Sequence, residues 1–381
     1  MKKKSLIFLS LLCLLLTVLC ACGEEPAKPE ASAQPTESQA VKPTPTPKPT
    51  PTPSPTPTPE PTPEVPEEEP EPANPLTGLP MEEEKLNDRP VAIMLNNLKA
   101  ALPQQGNSQA DIIYETVTEG GITRMLGVYQ SVEGVPTIGS VRSSRAVYLE
   151  LALGHDAVYV HAGGSEEAYA KIDEWKVDHM DGVRGKYSYA GAGLFWRERD
   201  RIEGKRFDTE HSLVTTGEAV LKALAESGLR LEHEEGYAYE MNFAEDGTPA
   251  DGAAAGKVTI PFSRYKTGVF TFDEQTGTYL AEEYGQPYID GNSGEQVAVT
   301  NVLVLLTEVE NTGDQYGHTN VKLESGSGWF ACGGKIIPII WEKGERTQQF
   351  RYFTQDGAPL VLGRGKSYVN IAPKTSEISF E

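Results

Sequence analysis

Three arginines and one glycine-rich turn carry the residue types best suited to chemistry. In Gly139-Ser-Val-Arg-Ser-Ser-Arg145 the spacing sets Arg142 and Arg145 three apart. Ser140 reads as the cap of a helix running to about Leu153 and stopped by Gly154. On that helix both guanidiniums fall in the first turn and share a face. A cation is misplaced there, because the free N–H groups of a helix N-terminus already carry positive partial charge. Each arginine therefore needs an anion, and two sources compete. Asp111, Glu115 and Glu119, from a neighbouring hairpin, would supply an internal ion-pair network. A phosphate or a polymer carboxylate gripped by Arg124, Arg142 and Arg145 would instead make a ligand site.

The turn is His161-Ala-Gly-Gly-Ser165. A passage from strand through two glycines into a helix aims backbone N–H groups at open space, so Gly163, Gly164 and Ser165 join the candidate anion site. The plainer alternative is a tight turn with Ser165 as helix cap. His161 and His211 could move protons, with Glu115 or Glu119 as the acid. A catalytic set is not assigned, because HExxH, GxSxG and phosphate-loop patterns are missing. The six histidines show no paired ligand spacing, so neither metal nor cofactor is expected. Gly291-Asn-Ser-Gly294 reads as a turn, Trp196 to Arg201 as a solvated charged segment, and Cys332 as a small core residue.

These side chains need a scaffold. Arg89–Asn97, Asp111–Thr118, Ile122–Tyr129 and Asp156–His161 read as strands, with Glu119-Gly120-Gly121 as a hairpin turn. Ala146 to Leu153 is apolar nearly all round, which predicts a buried helix. A second helix is expected near Glu166–Trp175. A third runs through Leu224 behind a capping box of Thr215 and Glu218. From Lys257 onward strands dominate, at Lys257–Phe262, Gly268–Asp273, Val297–Thr307, Gly328–Ala331, Lys335–Trp341, Gln348–Phe353 and Tyr368–Ile371. The pattern predicts an α+β chain: a mixed α/β domain over 76–232, a linker over 233–256 and a mainly antiparallel β domain over 257–381.

The N-terminus fixes the compartment expected for this body. Lys2, Lys3 and Lys4 precede an uncharged apolar run from Leu6 to Leu19, as in a signal peptide spanning 1–21. Leu19-Cys20-Ala21-Cys22-Gly23 has the form of a lipobox, which predicts lipidation of Cys22. Residues 22–75 read as a disordered tether, since the Thr-Pro alternation of Lys42–Pro63 offers no apolar surface to bury. In polyproline II, at about 3.1 Å per residue, the tether could span on the order of 100 Å. Of the four cysteines only Cys332 remains in the mature body, so no internal disulfide can form. Setting aside the signal (+3) and the tether (−7), a net charge of −17 remains from the total of −21. That charge repels nucleic acid and excludes it as a main partner.

Several motifs in order extend these readings. Asn74-Pro-Leu-Thr-Gly78, Arg89-Pro90, Gln109-Ala-Asp111, Tyr114-Glu115, Glu119–Arg124, Gly139–Arg145, Asn301–Leu305, Trp341-Glu-Lys343 and Gly363–Pro373 together resemble the YerB-like lipoproteins. That family consists of two successive domains of unknown function. The resemblance implies export and a two-part layout, and it supplies no reaction. One departure is His211-Ser212, where the family pattern has His-Asn. The expected function is that of a lipid-anchored, extracytoplasmic binding or scaffold protein on the outer face of the cytoplasmic membrane, or at an outer membrane. Its expected partners are the membrane through the lipid and an anionic wall polymer or envelope protein. The alternative is a wall-active hydrolase or transferase using a His/Glu pair.

Overall fold

Alternating side chains explain why the central strands are buried on both faces. In β1 (Val91–Asn96) every residue is buried, with Val91, Ile93 and Leu95 on one side and Ala92 and Met94 on the other. Such strands belong in the middle of a sheet covered on both faces. The computed structural model describes residues 71–381 apart from Ala192. The expected signal segment, Cys22 and the tether up to residue 70 lie outside the described residues. Among the described residues no helix is long and apolar enough to cross a membrane.

An 11-stranded mixed sheet forms the centre. β2 (Ile112–Val117) and β3 (Thr123–Tyr129) make the expected hairpin around Glu119–Gly121, and β3 pairs antiparallel with β1. After α1 (Ala146–Gly154), β4 (Val158–His161) adds parallel to β1; after α2 (Glu166–Trp175), β5 (His179–Asp181) adds parallel to β4. The short strand β6 (Leu213–Thr215) leads into α3 (Gly217–Ala225). The later chain supplies β7 (Lys257–Pro261), β8 (Thr267–Asp273) and β9 (Thr278–Glu283), the body of a separate antiparallel sheet. It then returns to the central sheet with β10 (Asn301–Thr307), β11 (Ser325–Cys332), β12 (Lys335–Glu342), β13 (Arg351–Thr354) and β14 (Ser367–Pro373). β14 lies parallel between β2 and β10, with Tyr114 opposite Val369 and Asn370 opposite Val304. One sheet thus runs from the 76–232 segment into the 257–381 segment, and the fold is α+β.

Two apolar clusters fill the layers. One packs α1 and α2 with Trp341 and Phe350 on one face of the central sheet. The other packs α3 and the antiparallel sheet, through Val258, Ile260, Phe270 and Tyr279, against the opposite face. Cys332 is 3% exposed in the first cluster, and burial pushes its thiol up to about 11. Stretch 233–256 lies against this body: His233 bonds Asp156 at 2.9 Å, and Ala253–Ala254 pairs with Ile336 and Lys335 of β12.

Three local expectations are corrected. The first helix begins at Ala146, not after Ser140, and Arg145 is its extended N-cap residue at φ −132. The backbone of 141–144 is committed elsewhere: Val141 N–H donates to Leu213 O at 2.8 Å, Arg142 N–H to Met94 O at 3.0 Å and Ser144 N–H to Gly163 O at 2.8 Å. Arg142 therefore occupies extended chain, and the shared helix face for Arg142 and Arg145 does not exist. The capping box also shifts. Thr216, not Thr215, caps α3 by accepting Ala219 N–H at 3.1 Å, because the Thr215 hydroxyl donates to Leu194 O at 2.7 Å. Within the expected solvated segment, Arg201 is buried and donates to the carbonyls of Ala101 and Pro103 at 2.6 and 2.8 Å.

Candidate ligand-binding cleft

The hairpin turn between β2 and β3 delivers Glu119 to two arginines. Arg145, at the entrance of α1, donates from Nε to Glu119 Oε2 at 2.9 Å and from Nη2 to Oε1 at 2.7 Å. Arg124, from β3, reaches the same carboxylate through Nη2 and Ser143 O through Nη1 at 2.8 Å. Its side chain is 4% exposed, and burial lowers its pKa to about 9. Burial would push the Glu119 carboxyl up, but Arg124 and Arg145 beside it hold it below the ordinary carboxylate range. Gly120, at φ 64, makes the turn possible, and its N–H donates to Gly317 O at 3.3 Å. Arg142 stands apart, donating to Glu210 O at 2.9 Å.

The other acidic candidates do not join this pair. Asp111 accepts Gln130 N–H at 2.7 Å and Asn74 Nδ2 at 3.1 Å. Glu115 is fully buried and accepts from Asn97 Nδ2 at 2.8 Å, Thr123 Oγ1 at 2.6 Å and the Tyr368 hydroxyl at 2.6 Å. Lys266 Nζ lies 3.2 Å from Glu115 Oε1 and also pairs with Glu283. The three-carboxylate network around the arginines is thus reduced to Glu119 alone. No local pattern marks Lys266, Glu283 or Tyr368, which meet around Glu115 only in the fold.

At the glycine turn, Ser165 Oγ accepts Ala168 N–H at 3.1 Å and caps α2. Gly163 N–H donates to Asp181 Oδ1 at 2.9 Å, so its anion is internal. His161 is fully buried. Its Nδ1 bonds Gly163 O at 2.8 Å and must carry the proton, which leaves Nε2 to accept from His179 Nδ1 at 2.9 Å. Burial lowers the His161 pKa to about 4. His211 is also buried, which lowers its pKa, and Nδ1 accepts from Asn96 Nδ2 at 3.0 Å. Neither ring has Glu115 or Glu119, its expected acid partners, within its hydrogen bonds.

Glu119, Arg145, Gly164 and Ser165 do come together on one open cleft of about 650 Å³, whose far side is the 312–318 loop with Asp314, Tyr316 and His318. Tyr316 is 64% exposed, and His318 Nδ1 bonds Asp314. The loop escaped the sequence reading; the exposed aromatic in Gly313-Asp-Gln-Tyr316 was the available signal. Among the described residues no set of three or more His, Cys, Asp or Glu side chains is grouped to hold a metal ion.

Comparison with known proteins places this architecture. The N-terminal and C-terminal domains of a family described as a protein of unknown function (DUF3048) match residues 76–230 and 258–369. YerB of Bacillus subtilis (strain 168), itself named as a candidate lipoprotein, is 29% identical over 313 residues, 78% of this chain and 86% of that protein. The crystal structure of the YerB protein from Bacillus subtilis aligns with a TM-score of 0.69 at 28% identity, covering 81% of this chain and 99% of the other. With both domains matched in order and the fold shared, this chain belongs to the YerB-like lipoprotein family.

Proposed function

We propose that the chain is a lipid-anchored, extracytoplasmic binding protein of the cell envelope, held by Cys22 on the outer face of the cytoplasmic membrane. The tether sets the body away from the bilayer so that the cleft can meet wall polymer or another envelope component. The observation that carries this reading is the open cleft between the Glu119 turn, the start of α2 and the 312–318 loop. It offers a guanidinium, carboxylates and an exposed aromatic ring to solvent. Binding accounts for this arrangement better than acid-base catalysis, because the His161 and His211 rings are buried and engaged by neighbours rather than turned toward the Glu119 carboxylate.

The test is thermal stability of the mature chain, from Cys22 onward in detergent, against muropeptides, polyglycerol phosphate and polyprenyl phosphate. A ligand at 100 times its Kd stabilises the native state by about 2.7 kcal/mol, a rise in Tm of several degrees. Tyr316→Ala, at an exposed position, should leave the unliganded Tm in place and abolish the rise. If none of the fragments raises Tm, or if the variant responds as the wild type does, this cleft is not the binding site.

A further inference from the structure

The cleft holds uncommitted groups of both signs. Of the five N–H groups of Arg145, one from Nε and one from Nη2 serve Glu119 and one from Nη1 serves Ser144 O, at 2.7 to 2.9 Å. Two N–H groups remain. Glu166 and Glu167 line the same cleft, and their first-turn N–H groups have no acceptor within α2. Four carboxylates share the lining with this one guanidinium. Three are already engaged: Glu119 by Arg124 and Arg145, Glu167 by Lys171 at 3.0 Å, and Asp314 by a hydrogen bond with His318 Nδ1. Glu166 is exposed and, among the described residues, has no ion-pair partner. The Tyr316 ring, also exposed, offers a face suited to a cation.

A purely anionic ligand would meet Glu166 and the −17 body charge. A purely cationic one would meet Arg145. A ligand with an ammonium and a carboxylate on the same carbon meets neither conflict. Its carboxylate can take the spare Arg145 and α2 N–H donors, while its ammonium lies against Glu166 and Tyr316. We propose that the cleft binds a zwitterionic amino-acid head group, such as the free α-amino-acid end of a diamino-acid side chain in a wall peptide. This rests on the cleft being a binding site at all, and it names the ligand class.

Calorimetric titration of the mature chain in detergent separates the two claims. The probes are Nε-acetyl-lysine, whose α-ammonium and α-carboxylate are free, its Nα-acetyl derivative, its α-carboxamide, and inorganic phosphate. The expected result is binding of Nε-acetyl-lysine, at least about tenfold loss on blocking either charge, and little affinity for phosphate. Glu166→Gln should weaken the zwitterion and should not weaken the Nα-acetyl derivative, an anion that the substitution relieves of a like charge. Equal binding of the blocked forms, or tighter binding of phosphate, overturns the zwitterion assignment. If all four probes are silent while a muropeptide still raises Tm, the ligand class is wrong and the binding site stands. If muropeptide, polyglycerol phosphate and polyprenyl phosphate are silent as well, both fail.

Discussion

Replacing Lys266 by methionine should be among the most damaging substitutions in the protein, although the lysine lies in a turn. Its side chain is 1% exposed, between Glu115 at 0% and Glu283 at 2%. Burial pulls its pKa down, and the Glu115 carboxylate opposes that pull. The cluster holds two carboxyls and one ammonium, so removing the ammonium leaves both carboxyls without a counter-charge. Methionine conserves most of the stem volume, which keeps cavity formation out of the comparison. Breaking a buried pair by deleting one partner costs about 3–5 kcal/mol. At about 2–4 °C per kcal/mol for a domain of some 200 residues, and less for a larger one, Tm should fall on the order of 10 °C. Glu283→Gln works in the opposite sense, since it matches one carboxylate to one ammonium, and should cost no more than about 1 kcal/mol. Denaturant midpoints for the two variants, at unchanged m-value, give both numbers. If Glu283→Gln costs as much as Lys266→Met, or Lys266→Met costs less than about 1 kcal/mol, the charge argument is wrong.

Three further outcomes follow from single residues. His155 is fully enclosed and its pKa is lowered by burial to about 3 from 6.5. The unfolded chain therefore takes up this proton first on acidification, and stability falls from about pH 6.5 down to about pH 3; His155→Phe should flatten the ΔG–pH slope there by about 1.4 kcal/mol per unit, and an unchanged slope would show that the ring protonates in the native state. Gly217 opens α3, and a Cβ there would sit 1.8 Å from Val132 O; helix propensity alone favours alanine by about 1 kcal/mol, so a net loss of stability by Gly217→Ala in a melting curve identifies backbone contact as the dominant effect. Cells fed a labelled fatty acid should label the wild-type chain and not Cys22→Ala; label retained by the variant would remove the proposed anchor.

The parts of the fold that were legible in the sequence are those whose cause is local. β1, β2 and β3 show as apolar runs, the last two joined by Glu119-Gly120-Gly121, and that hairpin forms where its own residues place it. α2 begins where Ser165 can cap it and spans Glu166–Trp175, the stretch that the pattern marked. The errors arise where a distant partner outbids a local preference. Ser140 through Arg145 carries helix-start chemistry, yet its N–H groups go to Met94, Leu213 and Gly163, and three such bonds hold it extended. Thr215 has the spacing of a cap and spends its hydroxyl on Leu194, so the helix starts one residue later. Glu115 and Glu119 sit four apart on one hairpin and meet opposite surroundings. Glu119, at the turn, reaches the arginines at the cleft. Glu115, inside the strand, points into the interior where Lys266, Glu283 and Tyr368 arrive from positions more than 150 residues away. Period-two alternation can tell that a strand residue is buried; it cannot tell which charge will be waiting on the other side of the sheet. That is why Arg124, Arg145 and the Glu119 turn could be singled out as a group, while the 312–318 loop that completes the cleft beside Arg145 could not.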